Sequence, residues 1–391
     1  MKILWFPRLQ FDIDKLHITT WREICRELEQ RWKCDVRIAI AGRRCDNVFN
    51  KDYIPIFIIR KKFLRLLTFW VIGYAKFIYH CLIFKPDVVI LDIFTIWFSI
   101  PFSILPKKKM LIIVDNRTPF YNIRPYKPTW NDKIIEFYTK LSYKYCKYFL
   151  DGMTVITDYY KGYVCKNFEF NPFFIGVWGS GADIDMFSPE KVNVSWRPDF
   201  LREKFVLMQH GEIGYNRGAL ETVEAIKFVN NEEIVLVFIG EGGAKNEILR
   251  KIKTLDLEKR VYFLSAIPYS EVPTYISYCN CAIMAYPNIE YLNNNNPIKL
   301  FEYLAMGKVV ICTDMWTFRN VGGDSRCICY IKQNDARTIA KAINYCYENR
   351  EYLDEWGREG IKIVKENFTW HKQAGNLLSF IEQLKIGGIN K

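Results

Sequence analysis

The sequence predicts an α/β fold of two doubly wound parallel sheets, and three observations carry that prediction. Apolar, β-branched runs of four to six residues recur along the chain, the pattern of strands covered on both faces. They alternate with helical stretches, and the alternation occurs twice, once in each half. The chain has 391 residues, more than the roughly 250–300 at which a single hydrophobic core stops growing. Half of the residues are apolar and 16% are aromatic, enough for two cores and a composition opposed to disorder.

In the first half the strand-like runs are Ile3–Phe6, Val36–Ala41, Pro55–Ile59, Val88–Leu91, Leu111–Val114, Thr154–Ile156 and Phe173–Val177. Thr19–Gln30, Phe63–Phe84 and Trp130–Lys147 are the helix candidates among them. The second half repeats the scheme with strands at Phe205–Met208, Ile234–Ile239, Val261–Phe263, Cys281–Ala285 and Val309–Cys312, and helices near Ala219–Val229, Lys245–Lys253 and Glu271–Ser277. Ligands are expected at the C-terminal ends of such strands. The boundary is placed near Gly179-Ser180-Gly181, small residues that follow a strand and precede the polar, Pro-containing stretch Ser188–Pro198. The helix Trp370–Leu384 comes after the second alternation is complete, and pattern alone leaves its place open.

Phe63–Phe84 is apolar enough to suggest a membrane span, but Arg65, Lys76 and His80 interrupt it. Its longest stretch without them, Leu66–Ala75, is ten residues, where a span needs about twenty. It is expected to be a mostly buried helix, and Ile93–Leu105 is too short to span. The opening MKILWFPR lacks the apolar run and small-residue cleavage site of a secretory leader.

The net charge is +12, and it is unevenly spread. Residues 1–182 hold 29 Lys/Arg against 16 Asp/Glu, and the rest hold 26 against 27. The excess in the first half points to an anionic partner: a membrane surface, a phosphorylated lipid or nucleic acid. No RNP-like, helix-turn-helix or zinc-finger pattern supports nucleic acid. The basic run Arg60-Lys61-Lys62-Phe63-Leu64-Arg65, with apolar residues beside it, suits peripheral docking on an anionic membrane, and equally a solubilising helix start. The twelve cysteines form no CxxC pair or Cys/His cluster, so Cys279/Cys281 and Cys327/Cys329 are expected to be buried thiols and no metal site is expected. This usage fits a reducing cytosol.

Three stretches can carry chemistry. Gly211-Glu212-Ile213-Gly214-Tyr215-Asn216-Arg217-Gly218 follows the strand from Phe205 and leads into a helix. A glycine-rich turn there lets backbone approach an anion, the helix start adds partial positive charge, and Arg217 can pair with phosphate oxygens. A connecting turn with a solvated arginine fits the same residues. The second stretch runs from Asn293-Asn294-Asn295-Asn296-Pro297 to Gly307. A helix should begin near Asn296, with an asparagine cap and Pro in the first turn, leaving the N–H groups of Ile298 and Lys299 unpaired. Glu302 then stands amid Leu300, Phe301, Leu304 and Ala305, where it could accept from two ribose hydroxyls or simply face water. The third is Asp115-Asn116-Arg117, past the strand ending at Val114, where a turn-capping aspartate is the alternative. The four histidines, His17, His80, His210 and His371, are isolated along the chain.

Set in order, these pieces resemble the GT-B-fold retaining glycosyltransferases of family four, the group 1 transferases, over nearly all of residues 183–391 and more loosely over 1–182. Gly181-Ala182-Asp183 with Phe187-Ser188-Pro189 is similar to the family's inter-domain segment. Gly211 through Arg217-Gly218 resembles its G-R-L-x-x-x-K-G loop. Val261-Tyr262-Phe263-Leu264 with Pro268 looks like V-x-F-L-G-x-V-P, and Glu302 through Val310 closely matches E-x-x-A-x-G-K-P-V-V. Phe368-Thr369-Trp370 resembles the entry to its last helix.

The resemblance implies two Rossmann-like domains facing a central cleft: an acceptor-binding domain over 1–181, a nucleotide-sugar donor domain over 182–369, and a helix over 370–391 crossing back to the first domain. It makes Glu302 the ribose-binding carboxylate and puts Arg217 in place of the family's diphosphate-binding lysine. It also implies donor contacts from Gly211, Asn294, Asn296 and the amides of Ile298 and Lys299. Arg217 and Lys299 would stabilise the leaving diphosphate, and Asp115 would approach the transferred sugar or acceptor from the cleft.

Three positions depart from the pattern: Glu212 stands where the family has an arginine, Asn294 where it has a glutamate, and Pro7–His17 replaces a glycine-rich loop. The implied activity is transfer from a nucleotide-diphosphate sugar to a polysaccharide or lipid-linked acceptor, with retention, with neither metal nor cofactor, in the cytoplasm at the inner membrane face. A catalytically silent sugar-nucleotide or glycan-binding relative within an assembly complex is the alternative.

Overall fold

The computed structural model describes residues 1–8, 15–42, 53–59, 61–103, 110–117, 130–192 and 198–387. In chain order the first elements are β1 (Lys2–Phe6), α1 (Lys15–Gln30), β2 (Asp35–Ala41), β3 (Tyr53–Ile56), α2 (Lys62–Phe84), β4 (Val88–Leu91), α3 (Ile100–Ser103), β5 (Leu111–Asn116), α4 (Trp130–Phe149), β6 (Gly152–Val155), α5 (Asp158–Phe168) and β7 (Ile175–Val177). There follow β8 (Phe205–Glu212), α6 (Ala219–Ile226), β9 (Ile234–Glu241), α7 (Lys245–Thr254), β10 (Val261–Leu264), α8 (Val272–Tyr278) and β11 (Cys281–Met284). The chain then continues through α9 (Glu290–Asn293), α10 (Ile298–Ala305), β12 (Val309–Thr313), α11 (Trp316–Gly322), β13 (Ile328–Ile331), α12 (Ala336–Glu348), α13 (Leu353–Asn367) and α14 (Trp370–Ile386).

The chain divides into two compact units, Met1–Gly179 with Trp370–Lys391, and Ser180–Thr369. Among the described residues the first holds a seven-stranded sheet in the order β3-β2-β1-β4-β5-β6-β7 and the second a six-stranded sheet in the order β10-β9-β8-β11-β12-β13. All pairings are parallel. The doubly wound α/β class read from the alternation is therefore the observed one. The sequence reading stopped short of β13, α12 and α13. Asp335 caps α12 by accepting from the amides of Arg337 and Thr338, both at 3.0 Å, a start signal that patterning could have used.

In the first unit, one face of the sheet buries Phe69, Phe77, Cys81 and Phe84 of α2 with Tyr143 and Cys146 of α4. The other buries Trp21, Ile24 and Leu28 of α1 with Ala374, Leu377 and Ile381 of α14. Successive strand residues supply opposite faces: Leu4 and Phe6 enter the first cluster, Ile3 and Trp5 the second.

Helix α2 forms where the hydropathy placed it, but it is not mostly buried. Only 22% of its apolar window is covered. One stripe packs on the sheet, and the opposite stripe, Leu64, Leu67, Val71 and Leu82, is exposed. By length and composition this helix could cross a membrane, yet its inner stripe is committed to the sheet.

In the second unit Val206 and Met208 pack on one side, with α8 and α10, while Phe205 and Leu207 pack on the other, with α6, α7 and α12. Cys279, Cys281 and Cys327 are buried and Cys329 is half-buried. The stretch Pro7–His17 and the basic residue Arg60 lie largely outside the described residues.

Candidate functional site

Strand β8 carries the first part of the site past its expected end at Met208, as far as Glu212. Gly211 has φ +98°, and a Cβ there would stand 2.0 Å from Cε of Lys299. Only glycine lets the lysine stem lie across this strand end. The chain then makes a short turn at Tyr215–Arg217 and enters α6 through Gly218, whose φ is +66°. A Cβ at Gly218 would meet the carbonyl oxygen of Ala285 at 1.7 Å, so the turn is seated against the end of β11. The Gln209 side-chain amide donates to the Arg217 carbonyl at 3.0 Å, closing the turn. Arg217 is thereby held near the strand ends, its guanidinium 5.2 Å from the ring centre of buried Tyr286 and its Nη2 3.1 Å from Oε2 of Glu212.

Helix α10 supplies the second part. It starts at Ile298 with Pro297 as cap residue and no side-chain cap. The expected asparagine cap is corrected here: Asn296 Oδ1 instead accepts from the Ser180 amide at 2.7 Å. Asn294 is fully buried and donates to the Glu290 carbonyl at 2.9 Å. Burial pulls the Lys299 ammonium below its ordinary pKa, with Glu302 opposing and Arg217 adding to the shift.

One turn on, Glu302 is buried at 3% exposure rather than facing water. Its Oε2 lies 2.8 Å from His210 Nε2 and its Oε1 accepts from the Tyr269 hydroxyl at 2.7 Å. Burial alone would raise its pKa, but the bonds from His210 and Tyr269 and the charge of Lys299 outweigh that and bring it below the usual value. Glu302 is therefore ionised, so His210 donates from Nε2. The His210 amide in turn donates to Tyr303 Oη at 2.9 Å, and the two rings meet edge to face at 4.8 Å.

Gly211, Arg217, Ile298, Lys299 and Glu302 are thus gathered in one unit, at the C-terminal end of β8 and the start of α10. Two cations and an uncapped helix start make an arrangement suited to an anion, beside an ionised carboxylate able to accept from hydroxyls. Glu212 offsets part of that positive charge. His210, Tyr269 and Tyr286 were not singled out from sequence. His210 lay 92 positions from its partner, and no local pattern links the two.

Asp115 belongs to the other unit. It ends strand β5 at 2% exposure instead of standing in a loop, accepting from Thr154 Oγ1 at 2.8 Å and Trp178 Nε1 at 3.1 Å. Burial pushes its pKa up to about 6, against the pull of Arg117 and these two bonds. The Arg117 guanidinium stacks 3.7 Å from the centre of the Trp178 ring.

Residues 194–363 match the family profile described as glycosyl transferases group 1. The chain is 22% identical over 285 residues to an uncharacterized glycosyltransferase of Methanocaldococcus jannaschii, covering 71% of this chain and 69% of that protein. Among solved structures it is similar to a sucrose-phosphate synthase of Thermosynechococcus elongatus, with TM-score 0.75, 14% identity and 99% and 100% of the two chains covered. It is also similar to HepE of Anabaena in complex with UDP-glucose, with TM-score 0.73, 12% identity and 98% and 100% coverage. The fold is the GT-B fold that the sequence implied.

Proposed function

We propose, with residues 194–363 forming a group 1 glycosyltransferase domain, that this chain transfers a sugar from a nucleotide-diphosphate donor to a polysaccharide or lipid-linked acceptor. The observation that carries the donor assignment is the convergence of Arg217, Lys299 and Glu302 on one strand end and one helix start. The similar HepE structure holds UDP-glucose, which supports a uridine or related nucleotide as the donor's carrier.

In the proposed reaction the acceptor hydroxyl oxygen forms a bond to the anomeric carbon while the bond from that carbon to the diphosphate oxygen breaks. The hydroxyl proton passes to the departing phosphate oxygen. Negative charge growing on the diphosphate meets Arg217, Lys299 and the amides of Ile298 and Lys299, groups already in place. Attack from the leaving-group side gives retention. These groups supply the countercharge without a metal or cofactor, and Asp115 is assigned an orienting role toward sugar or acceptor.

The acceptor is assigned to an anionic membrane face. The Lys/Arg excess over residues 1–182 supports this. So do two exposed apolar stripes in the first unit, Leu64, Leu67, Val71 and Leu82 on α2 and Trp130, Ile134, Phe137, Leu141 and Tyr148 on α4, the second flanked by Lys133, Lys140 and Lys144.

Titration of UDP, GDP and ADP into the full chain tests the donor site. Glu302→Gln removes a charge-assisted bond worth roughly 1.5–3 kcal/mol and should weaken the preferred diphosphate about tenfold or more. Arg217→Ala should weaken diphosphates far more than monophosphates. Unchanged affinity in folded variants would refute the assignment. Radiolabelled nucleotide sugars then separate an enzyme from a silent binder, the second reading that the Glu212–Arg217 ion pair favours. Loss of activity in EDTA with rescue by manganese, or an inverted product anomer by NMR, would overturn the mechanism.

A further inference from the structure

Arg217 is subject to opposing forces. Its guanidinium pairs with Glu212, whose carboxylate is half-exposed, so water and salt screen that bond. It also stands near a second cation. Burial does most to pull the Lys299 ammonium below its ordinary pKa, and the charge of Arg217 pushes the same way. Two cations at one site repel unless an anion lies between them. Both forces act on the flexible end of the arginine, while the Gln209 amide fixes only its backbone carbonyl.

The contact with Tyr286 is of another kind. The guanidinium lies over the Tyr286 ring, 5.2 Å from its centre, and that residue is only 6% exposed. An arginine over an aromatic face is attracted by the ring's negative face, more strongly where water is excluded. Burial raises the Tyr286 pKa, so its hydroxyl stays protonated and the face is that of a neutral ring. The ring is itself held. It meets buried Phe318 edge to face at 5.7 Å, and the Tyr286 carbonyl accepts from Thr313 Oγ1. Its neighbour Ala285 offers the carbonyl that seats Gly218. Two successive residues past β11 therefore hold the turn, one through its backbone and one through a ring beneath its cation.

We propose that Tyr286 is a positioning residue whose ring holds the Arg217 guanidinium in line for the leaving diphosphate, against the pull of Glu212 and the repulsion of Lys299. This rests on the donor-site reading above and adds to it a residue that acts through Arg217. Without the ring the guanidinium settles on Glu212, and the site loses countercharge for the phosphates while the fold stays intact.

The test is a double-substitution cycle, read by calorimetric titration of the full chain with UDP, GDP and ADP, each beside its monophosphate. Tyr286→Leu should weaken the best-bound diphosphate about fivefold or more, and its monophosphate less than about twofold. In an Arg217→Ala background the same substitution should add almost nothing, because the ring then has no cation to hold. Tyr286→Phe keeps the aromatic face and should bind within about twofold of wild type. A loss of equal size with and without Arg217 marks a purely structural role and overturns the proposal. So does an equal loss for diphosphate and monophosphate, or a Tyr286→Phe variant as weak as Tyr286→Leu. If Tyr286→Leu fails to give a native melting transition, fluorinated phenylalanines at position 286 take its place. Fluorine draws negative charge off the ring face at nearly constant size, so diphosphate affinity should fall with each added fluorine, and affinity that ignores fluorine overturns the proposal. Absence of binding by any nucleoside diphosphate removes the donor-site reading itself, an outcome distinct from a cycle without coupling.

Discussion

Asp115 shows what burial does to one carboxyl group. Its pKa of about 6 lies above the ordinary aspartate value of 3.8, so the folded chain binds this proton more tightly than the unfolded chain does. Stability therefore falls as pH rises from about 4 to about 6, by roughly 3 kcal/mol for the full shift, and the loss persists above it. Asp115→Asn keeps an oxygen for Thr154 and Trp178 and removes the titration. Relative to wild type, its melting temperature should be higher at pH 7.5 than at pH 4, and a gap independent of pH would sink this account. The orienting role proposed for it further predicts measurable transfer activity after that substitution. Glu212 acts in the opposite sense, on a cation. Its half-exposed carboxylate pairs with Arg217, and exposed pairs of this kind are worth about 0.2–1 kcal/mol. Glu212→Gln should tighten nucleoside diphosphate binding about two- to fivefold at low salt, less at high salt. Weaker binding by calorimetry would mean that Glu212 supports the arginine rather than competing for it.

The turn between β8 and α6 is the element on which the proposed donor site depends most. Its glycines were legible as a phosphate-type turn, because strand, glycines and helix follow one another locally. What holds the turn was not legible, since Ala285 follows a different strand. Gly218→Ala combines a left-handed backbone with a contact of 1.7 Å to that carbonyl. It should cost about 1–3 kcal/mol for the backbone alone and lower the melting temperature by several degrees, with diphosphate affinity falling as Arg217 is displaced. A variant that melts and binds like wild type would show that the turn moves freely. Helix α10 teaches the same distinction. Its start was read to within two residues of Ile298, but Asn296 went to the amide of Ser180, 116 positions away, instead of capping.

At the scale of the whole chain, charge and exposed apolar surface coincide in the first unit. Among described residues the outer stripes of α2 and α4 carry Val71 and Leu82 at 62% exposure, Phe137 at 70% and Trp130 at 81%. Patches of this kind, rimmed by lysines, are a recurrent mark of interaction with membranes. The chain should co-sediment with vesicles containing phosphatidylserine and be released as salt rises, because each basic residue near the surface contributes about 1 kcal/mol that salt screens. Replacing Phe137 and Leu141 by Glu should abolish sedimentation without changing diphosphate affinity. Binding that ignores both lipid charge and ionic strength would refute the assignment.

The sequence by itself determined the parallel α/β class and most strands and helices to within a few residues. It also placed glycines, arginine, lysine and glutamate at a strand end and a helix start. All of these are local or periodic properties, written in runs of apolar residues and in the few residues that start or break an element. Only the tertiary structure decided that Glu302 is buried, ionised and held by His210 and Tyr269, that Asp115 lies inside the first unit, and that the outer side of α2 is bare. Burial and long-range pairing set those outcomes. They arise when segments tens to hundreds of positions apart pack together, and no window of sequence contains both partners.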